Sequence, residues 1–131
     1  MLVQVLAICC GACVGAIARW CLGLWLSSGG VLPWGTLAAN LIGGYLIGVC
    51  VAIFQALPQL DPVWRLALIT GFLGALTTFS SFSAEVIGLL QQQRFVQALG
   101  WCAVHLLGSL CMTWIGLQSV AYFWPASRPL A

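Results

Sequence analysis

Apolar and polar positions alternate along the chain on one long scale: four extended apolar runs, separated by brief polar punctuation. The runs are Leu2 to Leu26, Trp34 to Leu57, Val63 to Leu90 and Ala98 to Phe123. Each exceeds the ~20 residues a helix needs to cross a bilayer at about 1.5 Å per residue. Between them lie Ser27, Ser28, Gly29 and Gly30 leading to Pro33, then Pro58 to Pro62 with Asp61, then Gln91, Gln92, Gln93 and Arg94. Glycine, proline and clustered polar residues end helices, and connections this short predict antiparallel neighbours. Trp25, Trp34, Trp64, Trp101, Trp124 and Tyr122 fall near run ends, where amphipathic rings favour the headgroup layer. The pattern predicts an all-α membrane protein: one domain over residues 1–131, built of four transmembrane helices.

Composition strengthens this reading. Of 131 residues, 63% are hydrophobic and 5% charged, with mean hydropathy +1.10, whereas a soluble domain carries about 25% charged residues. A water-facing surface cannot be built from such a chain. Its cations are four arginines and no lysine, without the basic cluster a nucleic-acid interface requires. The first run carries no cation before Arg19 and far outlasts a signal-peptide core, so it is expected to be a mature helix and not a leader. The seven cysteines all lie in apolar runs and are expected to act as small buried hydrophobes. Cys10 and Cys13 form a C-x-x-C pair, but no strand-helix pattern surrounds it to suggest redox chemistry. Gly11 with Gly15, and Gly44 with Gly48, stand four apart and would let helix backbones approach closely, although ordinary glycine usage in membrane helices accounts for them as well.

Orientation in a membrane follows the Lys/Arg difference between the two sides. Here Arg65 and Arg128 fall on one side, and Arg94 with Arg19 on the other. Such a balance gives insertion no clear instruction. It predicts a chain that inserts both ways up and pairs as an antiparallel homodimer.

Strongly polar groups at membrane depth are costly unless they face protein or water, so each is a functional candidate. Arg19 lies seven residues before Leu26, roughly 10 Å from that end at helical rise, and either snorkels to the interface or serves the function. Asn40 follows Thr36 by four residues, so both share a helix face. Its amide either bonds a neighbouring helix or meets a desolvated anion. The densest signal is Gly71-Phe72-Leu73-Gly74-Ala75-Leu76-Thr77-Thr78-Phe79-Ser80-Ser81-Phe82-Ser83, with five hydroxyls in seven residues after two glycines. Such hydroxyls compete with the helical ladder and favour a break of the third helix at midplane. Broken membrane helices expose carbonyls to cations and amides to anions. Phe79 and Phe82 share a face, and their positive ring edges could line an anion path or simply fill a core. On the fourth run Trp101, His105, Ser109 and Thr113 recur every four residues as one polar stripe, and Glu85 lies eight residues past Thr77. Hydroxyls beside two aromatics suit the wall of a narrow pore.

Three blocks now carry a resemblance over essentially the whole chain: Gly15-Ala16-Ile17-Ala18-Arg19-Trp20, then Gly35-Thr36-Leu37-Ala38-Ala39-Asn40-Leu41-Ile42-Gly43, then the Gly71 to Glu85 run. The sequence resembles the Fluc (CrcB) family of fluoride channels. That resemblance implies a dual-topology homodimer in a bacterial inner membrane, with two antiparallel pores that export fluoride down its electrochemical gradient. It implies that Asn40 donates to the ion and that Phe79 and Phe82 supply ring edges. Arg19 would draw anions to the pore mouth. Thr36, Ser81, Ser109 and Thr113, with the position of Glu85, would belong to the polar path. A structural Na⁺ would sit at the dimer centre, held by backbone carbonyls of Gly74 and Thr77 from both subunits. Trp101 and His105 depart from the tyrosine and smaller hydroxyl residue more familiar in that path, and Ser81 replaces a frequent threonine.

Two other classes set the contrast. A small multidrug-resistance transporter also has four helices, but needs a carboxylate in its first helix, where this chain has only Arg19. A non-transporting assembly subunit would use the polar stripe as glue alone. An enzyme is not expected, since one histidine and no nucleophile-base-orienter set leave no catalytic constellation.

Overall fold

A computed structural model describes residues 1–26 and 32–124. The connection at Ser27, Ser28, Gly29 and Gly30, and Arg128, lie outside the described residues. Within them every regular element is a helix. Helix α1 covers Leu2–Leu26 and α2 covers Trp34–Ala56. The third span, Pro62–Gln91, divides into α3 (residues 62–76) and α4 (Phe79–Gln91). Helix α5 covers Phe95–Phe123. Four stretches are thus long and apolar enough to cross a membrane, and three of their four starts match the hydropathy pattern to within a residue.

The fourth start does not. Helix α5 begins at Phe95, three residues before the expected Ala98, because the chain reverses at once after α4. Gln93 takes a positive φ of 59°, and the Arg94 amide turns back to the Leu89 carbonyl at 2.9 Å. The third span opens on a local cap: the Asp61 carboxylate accepts from the Val63 amide at 2.9 Å, and Pro62 fills the first helical position, where its missing N–H is harmless.

Close approach between helices comes from the glycines. A Cβ built on Gly11 would collide with the Ala67 carbonyl, and one on Gly15 with the Phe72 carbonyl, so α1 lies against α3 in the same direction. Likewise Gly48 meets the Thr113 carbonyl, and a Cβ on Gly44 would stand 2.9 Å from the Ser109 carbonyl, which sets α2 alongside α5. Both spaced glycine pairs are therefore contact devices and not incidental usage. Against α1, residues Leu66–Leu73 of α3 form a π-helix, a wide turn that is rare in proteins and concentrates at functional sites.

Two small cores fill the bundle. One joins Leu37, Leu89, Ala98 and Trp101; the other joins Ala39, Leu73 and Leu76. Trp101 corrects the interfacial expectation: at 4% exposure it is a core residue, whereas Trp25, Trp34, Trp64, Trp124 and Tyr122 do face outward. The cysteines are corrected too, since Cys9, Cys10, Cys13 and Cys111 lie on the outer surface of the chain. Outward residues such as Val14, Ile17 and Leu107 are apolar, as a helix bundle immersed in lipid requires.

Candidate functional site

Helical geometry stops at Leu76 and resumes at Phe79, and between them Thr77 and Thr78 are extended (ψ 155° and φ −151°). An extended pair inside a span strands backbone polar groups. Asn40 meets them from α2: the Thr78 amide donates to Asn40 Oδ1 at 2.8 Å, and Asn40 Nδ2 donates to the Thr78 carbonyl at 3.1 Å. One side-chain amide thus imitates a strand partner for one buried residue.

This pairing redirects the helical ladder. In a continuous helix the Gly74 carbonyl would accept from the Thr78 amide and the Thr77 carbonyl from the Ser81 amide. Here the first amide goes to Asn40, and the second caps α4 by donating to Thr78 Oγ at 3.2 Å. The hydroxyl run has accordingly been put to local use. Thr77 donates to the Leu73 carbonyl and Ser83 to the Phe79 carbonyl, each at 2.9 Å. Thr78 Oγ donates to Ser81 Oγ at 3.1 Å.

The interruption opens onto a groove of about 470 Å³ between α2, the third span and α5. Its wall brings together Asn40, Gly74, Thr77, Phe79, Phe82, His105, Ser109 and Thr113. Phe79 stands at the rim, lining the groove yet 77% exposed. Its ring meets Phe82 edge-on at 5.5 Å, and Phe82 stacks on His105 at 4.6 Å with 28° between planes. Trp101 meets His105 at 5.0 Å and donates its indole N–H to Glu85 Oε2 at 2.9 Å. Trp34 closes the row against Trp101 at 5.5 Å.

The chain has strong resemblances to known proteins. The family model described as CrcB-like protein, Camphor Resistance (CrcB), matches residues 6–117. Relatives named fluoride-specific ion channel FluC include one from Albidiferax ferrireducens, 67% identical over 93% of this chain and 94% of its own length. Another, from Variovorax paradoxus, is 64% identical over 92% and 96%. A third, from Paracidovorax citrulli, is 59% identical over 96% and 99%. The chain belongs to the CrcB-like family.

In this CrcB-like chain four of the expected site residues stand apart from the groove wall. Thr36 lies one turn before Asn40, Ser81 is held behind Thr78, and Glu85 is engaged by Trp101. Arg19 is half-buried on α1, a helix that contributes nothing to the wall. The residue that sequence reasoning passed over is Thr78, buried and bonded to both Asn40 and the head of α4. Thr is a favoured N-cap residue, and its place at the head of α4 after a helix break would have singled it out.

Proposed function

We propose that this protein is a fluoride-selective ion channel, not an enzyme, that exports F⁻ from the cytoplasm down its electrochemical gradient and so protects a bacterial cell against fluoride. One observation carries the reading: the groove sets the Ser109 hydroxyl, the Asn40–His105 pair and the rings of Phe79 and Phe82 on one wall of a CrcB-like chain. Fluoride is small and holds its water strongly, so each step of its path needs donors or positive ring edges in place of water. Among the described residues the Ser109 hydroxyl has no protein partner, which leaves its hydrogen for a passing ion. Once a second copy closes the groove, a path fitted to fluoride would exclude larger halides. Arg19 draws anions towards the mouth, and Thr36, Ser81 and Glu85 line the approach to it.

The working unit is an antiparallel homodimer in the inner membrane. A groove with Phe79 exposed on its rim is half a pore, and a second copy would complete it. The third-span interruption lies at midplane in this reading. Gly74 and Thr77 suit a structural Na⁺ at the dimer centre: their carbonyls are hard oxygen donors, and neither receives the amide a continuous helix would give it. When bound, that ion would supply fixed positive charge beside the anion path. In the same reading these residues keep the two carbonyls turned away from helical use.

Fluoride efflux from proteoliposomes loaded with potassium fluoride, with valinomycin to balance charge, tests the proposal. Fast fluoride loss with chloride retained is the expected result. A folded protein that passes no fluoride would overturn the reading and restore the assembly-subunit alternative, in which the stripe only glues helices.

A further inference from the structure

We infer that His105 is an anion-binding residue whose ring Asn40 locks as the Nε2–H tautomer, so that Nε2–H is the donor offered to a small hard anion in the groove. The inference rests on the channel reading and sharpens it. It begins with Thr78, whose backbone leaves no freedom: its N–H can only donate and its carbonyl can only accept. The first lies 2.8 Å from Asn40 Oδ1 and the second 3.1 Å from Asn40 Nδ2, so the amide cannot be flipped without losing both bonds. Asn40 Nδ2 therefore presents its second hydrogen to His105 Nδ1, 3.2 Å away. An amide NH₂ has two donors and no acceptor capacity, so Nδ1 must accept. The ring proton is then on Nε2, and the imidazole is neutral.

That proton has nowhere to go within the subunit. His105 is 4% exposed, and among the described residues its Nε2 is a buried polar atom without a hydrogen-bond partner. Native interiors pair nearly all such groups. The neighbours do not serve it: no Glu85 oxygen lies within hydrogen-bond distance of Nε2, Glu85 Oε2 instead accepting from Trp101, and Phe82 covers a ring face and has no acceptor atom. Asn40 has both its hydrogens directed at acceptors already, so the N–H still unassigned at this depth of the wall belongs to His105. The atom is sealed from the groove in the single subunit, so the wall must shift slightly for a small acceptor with negative charge to satisfy it, and ring stacking on Phe82 holds donor and ring edge in fixed relation.

His105 is the only histidine in the chain, so an isotope-labelled histidine spectrum reports this ring alone. Solid-state NMR of labelled protein in liposomes should find Nδ1 unprotonated and Nε2 protonated. Adding fluoride should shift Nε2, and fluorine should dephase it far more than Nδ1. A proton on Nδ1, an Nε2 unmoved by fluoride in vesicles that pass fluoride, or the same response to chloride, each overturns the inference alone. Vesicles that pass no fluoride overturn the channel reading instead. In flux, His105→Leu should lose about tenfold or more, the scale of one lost hydrogen bond to an ion. His105→Gln, which keeps an N–H, should recover part of that loss. Wild-type flux from His105→Leu would refute the assignment, and failure of that variant to fold leaves the spectrum and His105→Gln to decide.

Discussion

Asn40 carries three contacts at the interruption, two to the Thr78 backbone and one to His105 Nδ1. Asn40→Ala removes them together and leaves both backbone groups of a buried threonine without a protein partner. In membranes a side-chain hydrogen bond is worth about 0.6 kcal/mol on average and at most about 1.7. Three of them set the loss at about 2 kcal/mol, with a ceiling near ~5. The groove is wide enough to admit water to Thr78, which argues for the lower figure. Unfolding or dimer dissociation in detergent, followed against denaturant, measures this directly. Thr36→Ala is the control: it lies on the same helix face and no hydrogen bond of its side chain reaches the interruption, so it should stay within about 0.5 kcal/mol of wild type. If Asn40→Ala unfolds like Thr36→Ala, the clamp does not stabilise the break. A loss of fluoride flux at unchanged stability would then assign Asn40 to the ion alone.

Four further outcomes are expected. Gly48→Ala drives a methyl into the Thr113 backbone carbonyl, which cannot rotate away, and should cost about 1–3 kcal/mol, whereas Gly100→Ala meets nothing within 4 Å and should be neutral or gain up to about 1 kcal/mol in the same denaturation assay. Trp101→Phe keeps the ring against His105 but removes the donor to Glu85, a half-buried bond whose loss should cost about 1–2 kcal/mol by thermal unfolding. Phe82→Ile or Phe79→Ile should slow fluoride efflux by about tenfold or more with the dimer intact, and unchanged flux in both would remove ring edges from the path. Reporters fused to the C-terminus should be found on both sides of the membrane; a single orientation would refute the antiparallel pairing.

What could be read from sequence follows from what is local. Lengths of apolar runs and the proline and glycine between them are one-dimensional properties, so the spans came out nearly to the residue. The start of α5 failed because Gln97 and Arg94 depress the hydropathy of a turn that is already helical from Phe95. Trp101 failed for a different reason. A tryptophan near a run end is usually an interface anchor, but this one finds a carboxylate for its N–H on α4, and a polar tip that is satisfied inside can be buried. The Asn40–Thr78 pairing joins residues 38 apart, which no periodicity records. Only the choice between the two readings of Asn40, glue or ion donor, was visible, and its present bonds make it glue to Thr78 and partner to His105.

Trp101 and His105 are best understood together. A histidine brings a ring with two nitrogens, both of which must be provided for at membrane depth. Asn40 meets one of them, and Phe82 and Trp101 enclose the ring between them. Trp101 in turn brings an N–H that must be satisfied, and Glu85 meets it. Each residue therefore depends on a neighbour: tryptophan alone would lose the ring it packs on, and histidine alone would lose the wall that keeps it oriented. Along the row from Trp34 through Trp101, His105 and Phe82 to Phe79, the one buried side-chain polar atom without a partner among the described residues is the Nε2 of His105. Exchanging Trp101 and His105 one at a time and together for Tyr and Ser should show strong coupling, because contacting residues in one network are not additive. Additive losses would mean that the two residues act independently and that the row is not a coupled network.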